Sequence, residues 1–178
     1  MQPTDQVLIG FLRRQREEGM ALAEQSDCLD LMAVDDGPAP RRYLARFGCT
    51  GLVRTQQGEI VTADDFLIGI AFPNDYLRRL NPFEVLTWLG PSNVFHPNIS
   101  DRAPFICLGR LAPGTGLVEI LYQCFDLITY RKATVREDDA LNRDACCWAR
   151  RNLDRFPIDP RPLKRRPVQF SIEPIEVA

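Results

Sequence analysis

Residues 90–116 read GPSNVFHPNISDRAPFICLGRLAPGTG. This stretch has almost no helical or strand periodicity. Yet it holds the chain's one histidine, His96, and a cysteine, Cys107, set among Phe105, Ile106 and Leu108. An irregular segment of that length inside a compact domain is uncommon and is usually functional. Upstream of it, apolar runs predict four strands, over 28–34, 42–54, 65–72 and 83–89, with turns at 35–40 and 56–58. Strands so close in sequence favour an antiparallel meander. Before them, 5–24 carries Val7, Leu8, Phe11 and Leu12 at helical spacing, with Thr4 or Asp5 as cap and a fraying point at Gly19. Downstream, 117–130 (LVEILYQCFDLITY) is apolar on nearly every side, as a buried helix is. A more polar last helix is expected over 137–156, with Asp138 as a candidate cap. Grouped strands followed by grouped helices predict an α+β fold rather than a doubly wound sheet.

These elements fit one domain over 1–156. From Pro157 the chain is rich in proline and arginine, so 157–178 reads as a C-terminal extension, with strand-like alternation at 168–177 (VQFSIEPIEV). Hydrophobic residues are 45% and charged residues 26% of the 178, as in an ordinary globular protein. A net charge of −2 offers no basic excess for tight nonspecific nucleic-acid binding. No apolar run is long enough to span a membrane, and the N-terminal residues lack the layout of a secretory signal. Six cysteines without such a signal predict reduced thiols in the cytoplasm. Cys146 and Cys147 are adjacent and the other four are scattered. With a single histidine, a zinc site is not expected. Of 22 basic residues, only Lys132 and Lys164 are lysine. A GC-rich coding sequence accounts for that bias.

Two motifs in the long loop, His96-Pro97-Asn98-Ile99 and Phe105-Ile106-Cys107-Leu108, resemble the hallmark of the ubiquitin-conjugating enzymes: a His-Pro-Asn followed by an Ile-Cys-Leu whose cysteine carries the thioester. Three further stretches agree, in order. Phe72-Pro73-Asn74-Asp75-Tyr76 is similar to the family's FPxxYP segment. Asn81-Pro82-Phe83-Glu84-Val85 is similar to its PPxV, and Asp138-Asp139-Ala140-Leu141-Asn142 to its DDPLN. Any one of these motifs is weak alone; five in order make a strong resemblance. It covers roughly 5–155. Three departures stand out. Cys107 lies nine residues after Asn98, one more than in the commonest members. Residues 109–115 (GRLAPGT) replace the usual Asp and Trp-Ser-Pro, and Leu77 rather than proline follows Tyr76. They point to a divergent, prokaryotic branch, of the kind encoded in bacterial ubiquitin-like conjugation and anti-phage operons.

The resemblance implies the ubiquitin-conjugating-enzyme fold: an N-terminal helix, a four-stranded antiparallel meander, an active-site loop and two C-terminal helices. It implies a transferase that takes a ubiquitin-like protein from an activating enzyme as a thioester on Cys107 and passes it to an amine on a target protein. In an anti-phage operon that target could be a defence nucleotidyltransferase. Cys107 would be the nucleophile. Asn98 would donate to the oxyanion or hold the loop. Asp139 would orient the incoming amine or serve as a first-turn helix charge. His96 and Pro97 would be structural parts of the loop. No metal or small cofactor is implied, because ATP is consumed upstream. Two rival readings remain: a catalytically silent module that binds a ubiquitin-like protein, and a thiol hydrolase that pairs Cys107 with His96.

Overall fold

The structure, a computed structural model, describes residues 5–109 and 111–165. Helix α1 (Gln6–Glu24) starts where the Asp5 carboxylate accepts from the Val7 and Leu8 backbone N–H groups. That satisfies donors a helix start leaves without partners. Leu8, Phe11, Leu12, Gln15, Gly19 and Leu22 form its buried stripe. The expected fraying at Gly19 does not occur. A Cβ there would come within 2.7 Å of Leu117 Cδ2, so the bare backbone lets the helix run close beneath Leu117.

Among the described residues six strands follow: β1 (Leu29–Ala33), β2 (Arg42–Phe47), β3 (Gly51–Arg54), β4 (Ile60–Ala63), β5 (Phe66–Ala71) and β6 (Leu86–Gly90). Strands β1, β2, β5 and β6 build one antiparallel sheet in that order, and β3 and β4 pair as a separate hairpin. The four-stranded sheet is as expected, but two boundaries differ and one strand is added. The strand expected over 42–54 breaks in two after Phe47. At Gly51 a Cβ would lie 2.7 Å from Phe66 Cζ and 2.9 Å from the Ile128 carbonyl, so the backbone is pressed on the core there and leaves the sheet. The turn at 56–58 then closes onto β4, a strand the sequence reading missed. The run expected as a strand over 83–89 opens with one helical turn, α2 (Pro82–Val85). Asn81 caps the Phe83 N–H, and Pro82 takes the first position, which needs no N–H.

Helix α3 (Leu117–Ile128) is buried as expected. Its first N–H, on Leu117, donates to the side chain of Gln15 on α1 at 2.6 Å. Inward-facing Tyr43, Ala45 and Phe47 of β2 and Phe66, Ile68 and Ile70 of β5 share one core with the stripe of α1 and with Ile120, Leu121, Cys124 and Phe125 of α3. The single helix expected over 137–156 resolves into a 3₁₀ turn (Glu137–Asp139), helix α4 (Arg143–Arg151) and a second 3₁₀ turn (Leu153–Arg155). Asn142, not Asp138, caps α4, its side-chain oxygen accepting from the Ala145 N–H at 3.0 Å. The helix starts no earlier because the Leu141 and Asn142 N–H groups donate outward, to the Pro97 carbonyl, at 2.9 and 3.1 Å.

The stretch 157–165 lies against this body. Leu163 enters the main core. The buried Asp159 carboxylate accepts from the Thr50 N–H at 2.8 Å and pairs with Arg161 at 2.6 Å. The alternation at 168–177 lies outside the described residues. Among the described residues no helix is long and apolar enough to cross a membrane.

Candidate active site

The β6–α3 loop folds back on itself as an irregular hairpin. The Cys107 N–H donates to the Asn98 carbonyl at 2.8 Å, and the Asn98 side-chain amide donates to the Cys107 carbonyl at 3.2 Å. Ile99 bridges Ile106, and the Ser100 N–H reaches the Phe105 carbonyl at 3.0 Å. At the tip, Ser100 Oγ accepts from the Arg102 and Ala103 N–H groups, which closes the nine-residue spacing from Asn98 to Cys107. Isoleucines at 99 and 106, each almost fully buried, pin the two arms to the core.

Cys107 is partly exposed, and so is Cys147; Cys28, Cys49, Cys124 and Cys146 are buried. Burial pushes the Cys124 thiol up to about 12 and the Cys49 and Cys28 thiols upward as well. Those three are held as protonated, unreactive groups. A hydrogen bond to Glu137, and then burial, raises the Cys147 thiol. Of the two partly exposed cysteines, Cys107 is the one in the β6–α3 loop.

Asn98 is buried and held at both ends of its amide. Its oxygen accepts from the Thr134 N–H at 2.8 Å while its nitrogen donates to the Cys107 carbonyl. His96 is 1% exposed. Its Nδ1 accepts from the Asn98 N–H at 3.0 Å, which assigns the proton of the neutral ring to Nε2. Burial drives its pKa down to about 3, against a smaller upward pull from the Lys132 backbone. Its ring meets Tyr130 edge-on at 4.4 Å. Among the described residues neither ring nitrogen bonds to Cys107 Sγ; Nε2 faces the Lys132 backbone without a well-formed hydrogen bond. The ring therefore bonds within the loop, to Asn98, and not to Cys107. Pro97 is buried, and its carbonyl fastens the loop to the start of α4.

Asp139 stands apart. It is exposed at the end of the 3₁₀ turn, and its carboxylate pairs with Arg136 at 3.4 Å. Among the described residues no hydrogen bond or ion pair links it to Cys107 or Asn98. Its connection to the site runs through the chain, since Leu141, two residues on, donates to Pro97. The structure thus brings His96, Pro97, Asn98 and Cys107 together and leaves Asp139 on the rim.

Three residues that the sequence reading passed over back the loop. Tyr130 donates its hydroxyl to the Phe95 carbonyl, Lys132 its ammonium to the Leu108 carbonyl, and Thr134 its N–H to Asn98. They alternate along the segment that leaves α3, which Tyr130 ends in a left-handed conformation (φ 60°). Their one sequence signal is the rarity of lysine at position 132. Among the described residues no three His, Cys, Asp or Glu side chains converge as a metal-binding group.

No family model matches the chain, and no curated protein does. Matches to solved structures number 35 chains. One is described as a "putative ubiquitin conjugating enzyme" from Plasmodium yoelii; it has 17% identity and a TM-score of 0.52, over 89% of this chain and 92% of that one. At that identity the likeness speaks to architecture alone. The α+β arrangement, with its four-stranded antiparallel sheet and flanking helices, is a ubiquitin-conjugating-enzyme-like fold.

Proposed function

We propose that this chain is an acyl carrier of the ubiquitin-conjugating type. It takes the C-terminal acyl group of a ubiquitin-like protein from an activating enzyme as a thioester on Cys107. It then passes that group to an amine of a target protein. The observation that carries this reading is the reciprocal pair of hydrogen bonds between Cys107 and Asn98, in a fold of this kind. A partly exposed thiol on a backbone fixed at two points suits a handover in which the sulfur must meet first one protein and then another. Asn98 supplies the oxyanion donor. One of its two amide hydrogens is engaged by the Cys107 carbonyl, and the same NH₂ group carries a second. Asp139, exposed and pairing only at the surface, receives and orients the target amine. His96, neutral and buried, serves the loop rather than the chemistry. The branch is prokaryotic, and a nucleotidyltransferase of a defence operon is a candidate target.

A charging assay tests this. The protein is mixed with ATP and with the activating enzyme and ubiquitin-like protein encoded beside its gene, then resolved on non-reducing gels. A thiol-sensitive adduct that is lost in Cys107→Ala is expected. Asn98→Ala should charge normally yet discharge to an amine roughly 100-fold more slowly. If folded protein with active partners forms no adduct, transfer is excluded and binding of the ubiquitin-like protein becomes the reading to measure.

A further inference from the structure

Lys132 stands out twice. It is one of two lysines in a chain that otherwise uses arginine, and its ammonium donates to the carbonyl of Leu108, the residue directly after Cys107. Its placement is built rather than accidental. Its backbone N–H donates to the Asp126 carbonyl at 3.0 Å, tying it to the end of α3. Its side chain passes over Gly109 so closely that a Cβ there would lie 3.3 Å from Nζ. Gly109 has φ +86°, a conformation that admits this approach at low cost. Among the described residues no carboxylate forms an ion pair with Nζ, and the half-buried Asp126 carboxylate lies near enough to be stabilised by its charge. Lys164, the other lysine, sits in the 157–165 stretch, beside the Arg165 that bonds to Gln25, on a different part of the molecule.

We propose that Lys132 is a positioning residue of the transfer site. Its ammonium holds the Leu108 carbonyl, and with it the peptide that carries Cys107, and it sets a positive charge next to that peptide. The inference rests on the thioester reading above. In the transfer step the target amine nitrogen attacks the thioester carbonyl carbon. The C–N bond forms and the C–S bond breaks, and the electron pair of that bond leaves on the Cys107 sulfur. The nitrogen gives up a proton to solvent or to a carboxylate. Negative charge thus grows first on the carbonyl oxygen and then on the sulfur. A fixed cation nearby stabilises both without having to reorganise. Because it acts on the departure of sulfur rather than on capture of the amine, Lys132 should govern the saturating rate and leave half-saturation alone.

The test compares the full-length wild-type chain with Lys132→Met, which keeps the apolar stem, and Lys132→Arg, which keeps the charge. Lys132→Gln stands in for Lys132→Met if that variant does not fold. Preformed thioester is discharged onto free lysine over a range of concentrations. Separately, Cys107 in the uncharged protein is alkylated with iodoacetamide and followed on its own peptide by mass spectrometry. That arm needs no partner protein, and it too requires sulfur as an anion. At equal melting temperature, Lys132→Met should discharge about tenfold more slowly at saturating lysine, with unchanged half-saturation. It should also alkylate several-fold more slowly. Lys132→Arg should recover most of both losses. Wild-type alkylation in Lys132→Met, or a Lys132→Arg as slow as Lys132→Met, overturns the proposal. Failure of the wild type to form a thioester overturns the transfer reading instead, while the alkylation arm still decides whether Lys132 acts on Cys107.

Discussion

At the scale of single residues, His96 shows how burial chooses a role. A histidine 11 residues before a cysteine could be its base. Here the ring is sealed in, and one nitrogen is spent on the Asn98 N–H. Removing an imidazole from water disfavours its charged form, and burial accordingly holds its pKa near 3. The consequence for stability has a definite sign. Between about pH 3 and the ordinary histidine value near 6.5, the unfolded chain binds a proton that the folded chain does not. Stability therefore rises with pH across that window and is lost as pH falls through it. Between pH 6.5 and 5, above the usual carboxylate range, this slope should belong largely to His96. Urea midpoints should fall over that interval in the wild type and stay level in His96→Asn. A wild-type midpoint unchanged from pH 7 to 5 would contradict a neutral, buried ring. His96, Asn98 and Cys107 were legible in the sequence because they lie in short motifs that resemble those of the ubiquitin-conjugating enzymes. Thr134 and Lys132 were not, since they act through contacts 36 and 24 residues away along the chain.

At the scale of elements, the decisive contact is the one that starts α3. No side chain of its own caps that helix; Gln15, buried on α1, accepts from the Leu117 N–H instead. One polar side chain on the apolar stripe of α1 thus ties down the start of α3, and α3 leads into the segment that backs the loop holding Cys107. Gln15→Leu keeps an apolar body but leaves that N–H buried and unpaired. It should lower stability by about 1–3 kcal/mol, read by urea or thermal unfolding. A neutral result would mean that water or another group reaches Leu117. The element boundaries that the sequence misplaced share a cause. The break after Phe47 and the late start of α4 are imposed by partners remote in sequence: Phe66 and Ile128 at Gly51, and Pro97 at Leu141 and Asn142. Local periodicity carries no trace of them. The turn of helix at α2 had a local signal, an Asn-Pro start, which the apolar run over 83–89 outweighed.

At the scale of the whole molecule, 157–165 binds the body together. Burial pushes the Asp159 carboxyl up. The Arg161 guanidinium and the Thr50 and Arg161 backbone N–H groups outweigh that and hold it down at about 2. Its stabilising contribution is complete above the ordinary aspartate range and is lost as pH falls from about 4 to about 2. Arg161 also donates to the Gly48 carbonyl at 3.1 Å, at the corner where the chain leaves the sheet after β2. Asp159→Asn should therefore cost about 2 kcal/mol, seen as a lower melting temperature at pH 7. An unchanged melting temperature would mean that the stretch rests on the body without contributing to its stability.

What could be read without coordinates was whatever is written locally. The α+β class came from the order of periodic segments, and the candidates Cys107 and Asn98 from short motifs that resemble those of the ubiquitin-conjugating enzymes. Folding added what depends on contacts between distant parts of the chain. It buried His96 and so removed it as a base. It left Asp139 on the rim, paired with Arg136. It brought Tyr130, Lys132 and Thr134 behind the loop. Charge, burial and hydrogen-bond partners are properties of a site in space. A chain specifies them only through the packing of segments that its linear order holds far apart.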